Sequence, residues 1–537
     1  METQPINFTE RADFQNPGRG RDYMQLGRLL AALEQPPVAF HASDKAVFPD
    51  HVEITALAYD SRQVQVGGLF VAMPGDHTDG RRFLADGARR GAVVALPYVE
   101  VRDVRMALAN LACAFYEYPA QRLCTIGVTG TSGKTTTSNL ISSVLEAVGL
   151  RTGLMTTANF RICGQEWANT TRQTTLEALE IQQMLRQALD AGATHAVIES
   201  TSHGLELHRV SGCYFDVGVM TNITHEHLDF HKTMEAYLRA KARLFESLDP
   251  LRDKGLGVRP AAILNRDDVS YEVLKPYCRV PVVDYGIDGP AAVRAVDVQL
   301  QAHSTRFRVI LPDTEMMVET RLVGHFNVSN CLAAIAVAYT LGVAPLDIAQ
   351  GLAKVTGVVG RMESIHEGQP YSVIVDFAHT PDSLEKVLTT LRTLTTGRLM
   401  AVFGAPGGRD VQKRPLMGRI VAQLADFCVI TNDDPREEDP EAILQDIARG
   451  AEAVGKRQGQ DFLCILDRTQ AIATAFAHAR PGDTVLLAGK GHEQCIIVGR
   501  EKVPWDDRQV AREQIHLLEK HAPVKDTSSH DGPQVLN

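Results

Sequence analysis

The sequence has no excess of basic charge. Its formal net charge is −10 at neutral pH, whereas a nucleic-acid binder shows a basic face. It has no uninterrupted apolar run approaching the ~18 residues that a membrane-spanning helix needs, so membrane insertion is not expected. No basic stretch followed by an apolar one opens the chain, which predicts no secretory signal and a cytoplasmic location. The nine cysteines are scattered, with no CxxC pair, which argues against a cysteine zinc site. Most lie in apolar runs, as reduced buried thiols do. Internal repeats and low-complexity tracts are also missing. What remains is an ordinary globular composition over 537 residues, room for about three domains at ~150 residues each.

Against that background one segment stands out. Residues 129–136 read TGTSGKTT, directly after the apolar run 123–128. The pattern predicts a buried strand, a glycine turn, and a helix that begins at the lysine. Leu140, Ile141, Val144, Leu145 and Val148 recur at helical spacing beyond it. Such a turn places backbone N–H groups, a helix N-terminus and an ammonium around a phosphate chain. Lys134 then reaches the terminal phosphates, and Thr135 offers a hydroxyl to Mg²⁺. The usual pattern wants glycine six residues before the lysine; Val128 stands there, and the glycine is Gly130. ATP is therefore expected on Gly130, Thr131, Ser132, Gly133, Lys134, Thr135 and Thr136.

The organisation along the chain is α/β. Residues 1–22 are polar, with Gly18, Arg19, Gly20 and Arg21 in a run, and read as a flexible arm. From 23 to 118 short strands and helical stretches form a first domain. Gly75, Asp76, Asp79 and Gly80 mark a turn between a strand at 69–73 and a helix near 81–90. From 119 to 360 strands and helices alternate, which predicts a mostly parallel sheet. A third α/β block runs from 361 to 521 and begins with a strand at 371–377. The tail, 522–537, is polar and expected to be disordered.

Further candidates sit in the central block. AVIE at 196–199 closes a strand and is followed by STSHGLELHRV. A carboxylate at the C-terminal end of a strand lies near the nucleotide in an open α/β sheet, so Glu199 is a candidate Mg²⁺ ligand. TNITHEHLDFHKTMEAYLRAKARLF, at 221–245, packs His225, Glu226, His227, Asp229 and His231 into seven residues. A solvated loop and a zinc site are two readings of that cluster. A phosphate loop already demands Mg²⁺, which prefers oxygen ligands and phosphates, so a Mg²⁺–ATP role with one histidine ligand is the third. Lys241, in YLRAKARLF, reads by itself as a surface lysine. Arg361 reads as a helix-face cation or a phosphate clamp. Asn327 and Asn330, in GHFNVSN, cap the following helix or touch a base.

The ordered set GTSGKTT, ESTSHGLELHRV, TNITHEHLDFH with YLRAKARLF, GHFNVSN, GRME, VDFAHTPDSLEKVL and LAGKGHE resembles the Mur ligase family. These ATP-dependent enzymes build the cytoplasmic peptide precursor of peptidoglycan. The resemblance covers residues 55–510. It is nearest to the MurE type, which adds a diamino acid to UDP-N-acetylmuramoyl-L-alanyl-D-glutamate. DSR at 60–62, KRPLMG from Lys413 and DDPREEDP from Asp433 carry that subtype. The resemblance implies an N-terminal α/β domain for the UDP end, a central ATPase, and a C-terminal Rossmann-like domain for the amino acid. It also implies small-molecule substrates, no nucleic-acid partner and a monomer.

The family's roles map onto this chain residue by residue. Lys134, Glu199, His227 and Lys241 match its catalytic set. Thr135, Glu199 and His227 match metal ligands, with Lys241 as a carbamate (N6-carboxylysine), which turns an ammonium into an oxygen donor. Asn327, Asn330, Arg361, Asp376 and His379 match ATP contacts. Ser61, Thr174, Thr175, Thr201, Ser202 and Arg209 match UDP-substrate contacts. Arg409, Asp433, Asp434, Pro435, Arg436, Gly489 and Glu493 match the amino-acid pocket. Enzymes that take meso-diaminopimelate read Asp-Asn-Pro-Arg where this chain has Asp433, Asp434, Pro435 and Arg436. Asp434 is expected to favour an ammonium over a second carboxylate. The loop GAPGGRD at 404–410 also departs, with Pro406 and Gly408 where the family has Gly and Asp. meso-Diaminopimelate is the expected residue, and L-lysine or L-ornithine is the alternative. A folylpolyglutamate-synthetase-like ligase or the dipeptide-adding enzyme would lack the DSR and DDPREEDP boxes. A phosphate-loop switch would lack Glu199, His227 and Lys241 together. An inactive ligase-like binding protein would have lost one of Lys134, Glu199 and Lys241.

Overall fold

The computed structural model describes residues 23–41, 51–75, 78–93, 98–171, 173–224, 226–301 and 304–521. The expected arm at 1–22, the expected tail at 522–537, Asp76 and His225 lie outside the described residues. The chain divides into two compact units, one ending at Thr356 and the other beginning at Gly357.

The first unit is built on an eleven-stranded sheet. Cys124–Thr129 runs through its middle, with His195–Glu199 on one side and Val217–Met220 on the other. Both pairings are parallel. Parallel pairing continues out to Thr152–Met155 on one flank and Val293–Leu300 on the other. Antiparallel strands finish both edges. All six residues of Cys124–Thr129 are buried, because helices cover both faces of a parallel sheet. Ile126 and Val128 pack with Leu140, Ile141 and Val144 of helix Lys134–Ala147 and with helix His325–Thr340. Ile198 and Met220 pack on the other face with Leu185 and with Leu244 and Phe245. The strand order reverses at Cys124–Thr129, where an open α/β sheet opens a crevice at its strands' C-terminal ends.

Residues 23–118 belong to the same unit. Strand Ala56–Ala58 pairs in parallel with Gly68–Phe70, and a 3-10 turn at Gly80–Phe83 runs into helix Leu84–Arg89. Helix Val104–Phe115 is capped by Asp103, whose carboxylate accepts from Arg105 N at 2.9 Å and Met106 N at 3.0 Å. Its Leu108, Leu111 and Phe115 pack with Leu26, Ile54, Leu69 and Leu179, the last from helix Ala178–Asp190.

One buried ion pair anchors the end of the sheet away from that crevice. Lys254 Nζ lies 2.7 Å from Asp216, and both side chains are 4% exposed. The ammonium also donates to Leu123 O at 3.0 Å and Thr125 Oγ1 at 3.1 Å. Removing one partner of such a pair strands the other charge. Lys254→Met is therefore expected to destabilise the protein by about 3–5 kcal/mol. Denaturant unfolding measures this, and a midpoint equal to the parent's would show that the pair contributes nothing.

The second unit has a six-stranded sheet in the order Glu363–Ile365, Ser372–Asp376, Thr484–Ala488, Leu399–Phe403, Phe427–Ile430, Phe462–Cys464. Only the first pairing is antiparallel. Helix Pro381–Leu394 starts at Thr380 with a reciprocal capping box to Ser383. Helices Lys413–Leu424 and Pro440–Glu452 meet through glycines: a Cβ on Gly418 would strike Ile447 O, and one on Gly450 would strike Pro415 O. No helix among the described residues is long and apolar enough to cross a membrane.

Candidate functional site

The phosphate loop leaves the C-terminal end of Cys124–Thr129. Gly130 has φ 145° and Gly133 φ 84°, a region that side chains disfavour. A Cβ on Gly130 would strike Thr221 Oγ1, and one on Gly133 would strike Asn330 Oδ1. The loop's backbone is held from the neighbouring strand. Asn222 Oδ1 accepts from Ser132 N at 3.0 Å, its Nδ2 donates to Ser132 O at 3.0 Å, and its carbonyl accepts from Thr131 N at 2.8 Å. Thr221 Oγ1 donates to Ser132 O at 2.7 Å. Neither Thr221 nor Asn222 was singled out by sequence reasoning. The available signal is a polar Thr-Asn pair directly after the apolar strand Val217–Met220.

The catalytic candidates gather here. Helix Lys134–Ala147 starts at the lysine, whose Nζ folds back onto Thr131 O at 2.8 Å. Thr135 Oγ1 donates to Glu199 Oε2 at 3.0 Å, and the same oxygen accepts from Thr157 N at 2.8 Å. Glu199 stands opposite Val128 in the parallel register, so the sheet itself carries its carboxylate to the loop. Lys241 is not a surface lysine. It is 1% exposed, its Nζ donates to Gly130 O at 2.7 Å, and it lies over the Tyr237 ring at 4.4 Å. Burial first, and the Lys134 charge second, hold its amine well below the ordinary lysine range; Glu226 opposes them.

His227 has φ 58° and is 39% exposed, with Nε2 3.6 Å from Glu226. Its ring meets His203 edge-on at 4.8 Å. His231 bonds Ser202 Oγ at 2.9 Å, and its ring meets the same His203 ring at 5.4 Å. Asn330 is buried against Gly133 and accepts from Thr137 Oγ1 at 3.3 Å. Its Nδ2 donates to Asn327 Oδ1 at 3.1 Å. Helix His325–Thr340 is N-capped by Gly324 with no side-chain bond, so neither asparagine serves as that cap.

The UDP-substrate candidates divide. Thr175, Thr201, Ser202 and Arg209 form one patch. Thr175 Oγ1 bonds Glu199 O at 2.8 Å and Thr201 Oγ1 at 3.0 Å. Thr201 caps helix Ser202–Glu206 through Gly204 N. Arg209 reaches Thr175 O at 3.1 Å and Glu177 at 2.8 Å. Thr174 precedes the patch and is half-buried. Ser61 sits apart, in the 3-10 turn Ser61–Gln63, where it helps hold the Asp86 carboxyl below the usual carboxylate range.

In the second unit, Arg361, Asp376 and His379 gather around Phe377. The Arg361 guanidinium lies 4.6 Å from the Phe377 ring. Asp376 accepts from Met362 N and Ala378 N, each at 2.7 Å. Its carboxyl is pushed up by burial, with Arg361 pulling the other way. His379 Nδ1 bonds Phe377 O at 2.7 Å. The amino-acid candidates lie at the ends of Leu399–Phe403, Phe427–Ile430 and Thr484–Ala488. Arg409 is exposed; Asp433, Asp434 and Pro435 are buried. Arg436 has φ 54° and is held by Ile497 O at 3.0 Å. Gly489 has φ 109°, and a Cβ there would lie 3.0 Å from Asp433 Oδ2.

Asp434 has a cationic neighbour within the protein. Lys490, fully buried, sits among three carboxylates: Glu493 at 2.6 Å, Asp434 at 2.9 Å and Asp433 at 3.5 Å. Burial alone would lower its pKa, but Asp433, Glu493 and Asp434 more than offset that, and the ammonium is stabilised above its ordinary value. Asp434 also accepts from Ile497 N at 3.0 Å. Asp434 thus shares the one Lys490 ammonium with Asp433 and Glu493.

The chain is similar to known proteins over most of its length. The Mur ligase middle domain matches residues 128–338, and the Mur ligase, glutamate ligase domain matches residues 360–491. A UDP-N-acetylmuramyl-tripeptide synthetase from Roseiflexus sp. (strain RS-1) is 47% identical over 482 residues, 86% of this chain and 95% of the relative. A UDP-N-acetylmuramoyl-L-alanyl-D-glutamate–2,6-diaminopimelate ligase from Geobacillus kaustophilus (strain HTA426) is 42% identical over 471 residues, 86% of this chain and 94% of the relative. A solved structure of a ligase of that same name superposes with a TM-score of 0.60 at 31% identity, covering 90% of this chain and 99% of the other.

Proposed function

The chain belongs to the Mur ligase family, as an ATP-dependent, ADP-forming amide ligase of peptidoglycan precursor synthesis, and from that premise we propose how its residues divide the work. The observation that carries the proposal is the convergence of Thr135, Glu199 and Lys241 on one phosphate loop. A carboxylate is a poor acyl donor, so the γ-phosphoryl group of ATP first passes to the free side-chain carboxylate of the D-glutamyl residue. ADP leaves and an acyl phosphate forms. The amine of the diamino acid then attacks the acyl carbon. The C–N bond forms, phosphate departs with the C–O electron pair, and the amine loses a proton.

Each group in the first unit answers a need of that sequence. The loop N–H groups and Lys134 hold the phosphates, where charge builds up in transfer. Thr135 and Glu199 supply paired oxygens, a donor set that fits Mg²⁺, and His227 stands at the edge of the loop. Bound there, Mg²⁺ would screen phosphate charge. Lys241 fits the carbamate: a neutral buried amine adds to CO₂, forms an N–C bond and releases a proton. Thr174, Thr175, Thr201, Ser202, Arg209 and Ser61 take the UDP substrate, with the patch around Arg209 nearest to Glu199. Asn327 and Asn330 take the ATP side in the first unit; Arg361, Asp376 and His379 form a polar cluster of the second unit.

In the second unit Arg409 and Arg436 bind carboxylate, and Asp433, Gly489 and Glu493 line the rest of the pocket. Two guanidinium groups suit an amino acid with carboxylates to be gripped in bidentate fashion. Asp434 lies 2.9 Å from the Lys490 ammonium, so its charge does not by itself call for a ligand ammonium, and meso-diaminopimelate is the incoming residue we propose. Arg436→Ala should raise the amino-acid KM more than about tenfold, since ~1.4 kcal/mol is one decade and a lost charge partner costs about 2–5 kcal/mol. ADP release, measured with UDP-N-acetylmuramoyl-L-alanyl-D-glutamate and with diaminopimelate, lysine and ornithine side by side, tests the whole reading. Release should require both substrates and be fastest with diaminopimelate. Faster release with lysine or ornithine would reassign the pocket, and release with none of the three would overturn the ligase proposal.

A further inference from the structure

Two loops carry the arginines assigned to the incoming amino acid, and they come from distant parts of the chain. Arg409 follows Gly408, and Arg436 precedes Glu438 by two residues. A pair of side chains spans the gap between the loops. Glu438 Oε1 accepts from Gly408 N at 2.5 Å, and Glu438 Oε2 accepts from Arg414 at 2.7 Å. The backbones meet beside it, with Gly407 N donating to Asp434 O at 2.8 Å. Gly407 is needed there, because a Cβ would strike Pro435 O.

Arg414 is the fixed end of this brace. Its side chain is 3% exposed. It also binds Asp446 at 3.0 Å, on helix Pro440–Glu452, and Pro406 O at 3.3 Å. One planar fork thus ties the first arginine loop, the second arginine loop and a core helix. A lysine would have to reach all three acceptors from one nitrogen, without the fixed geometry of the fork.

We propose that Arg414 and Glu438 are positioning residues that set the spacing of Arg409 and Arg436 and so the grip on the incoming amino acid. The inference rests on the proposed role of those two arginines. The contacts of both brace residues named above are to the protein itself. Losing the brace leaves both guanidinium groups in place but lets their loops part, and misplacement by about 1 Å is enough to cost binding and rate heavily.

The test is steady-state kinetics on the full chain, with diaminopimelate, lysine and ornithine each titrated at saturating ATP and UDP substrate. Glu438→Ala is expected to raise the amino-acid KM about tenfold, with the KM values for ATP and the UDP substrate within twofold of the parent. Glu438→Gln, which keeps an acceptor for Gly408 N, should fall between, and Arg414→Lys should behave like Glu438→Ala. Adding Glu438→Ala to Arg409→Ala should raise KM by less than threefold more, because the spacing then serves one arginine fewer. An unchanged amino-acid KM in Glu438→Ala, with Arg409→Ala impaired, overturns the brace and leaves the arginine grip standing. If Arg409→Ala and Arg436→Ala are themselves unimpaired, the grip is what fails. Three KM values rising together in Glu438→Gln as well as Glu438→Ala would reduce the pair to a structural role and overturn the inference.

Discussion

Lys134→Ala is expected to lower ATP-dependent ligation by about a hundred- to a thousandfold, the scale on which single charge-stabilising groups act in transfer reactions. The lysine opens its helix at the mouth of the phosphate loop, and its ammonium is held locally by Thr131 O at 2.8 Å. That bond is local to the loop. The loop's shape is kept by Asn222, Thr221 and the two glycines. The variant should therefore unfold at the same denaturant midpoint as the parent. Measured together, unfolding and ADP release separate the two roles. Near-parental turnover in a folded Lys134→Ala protein would remove the loop from the nucleotide site.

Lys241→Ala is expected to lose activity by about a hundredfold or more, and Lys241→Arg should be as inactive as the alanine. A buried ammonium is costly unless it is paired, and Lys241 Nζ meets a backbone carbonyl and the Tyr237 ring. Burial and the Lys134 charge favour its neutral amine, the form that reacts with CO₂. The carbamate reading makes the group an oxygen donor rather than a cation. Bicarbonate should not restore the alanine variant, whereas a short carboxylic acid should do so in part. Carbon-13 NMR of protein equilibrated with labelled CO₂ should show one carbamate signal that Lys241→Ala lacks. Full activity in Lys241→Arg would mean that positive charge is what the site needs, and the carbamate would fall.

Much of this was legible because it is local. The strand, glycine turn and helix of the phosphate loop lie within one continuous stretch, so apolar spacing and two glycines announce them before any packing is known. Glu199 was legible for a related reason: the last residue of a buried parallel strand must emerge at the sheet's C-terminal end. Lys241 was not legible from its own neighbours, since YLRAKARLF reads as an amphipathic helix with lysine on either face. Only the packing of helix Met234–Glu246 against the sheet turns that lysine inward.

The sequence by itself determined the α/β class, the phosphate loop, the strand-end carboxylate and the set of charged residues in the second unit. The tertiary structure decided which of those charges meet. Asp434 and Lys490 are 56 residues apart and lie 2.9 Å from each other. Glu438 reaches back 30 residues to Gly408 N, and Asn222 lies 90 residues beyond the loop it clamps. A charge's sign is a property of one residue, but its effect depends on the distance to its partner and on the water between them. Both are set by how strands are ordered in a sheet, so a pocket whose acids looked open to a ligand's ammonium proved to carry an ammonium of its own.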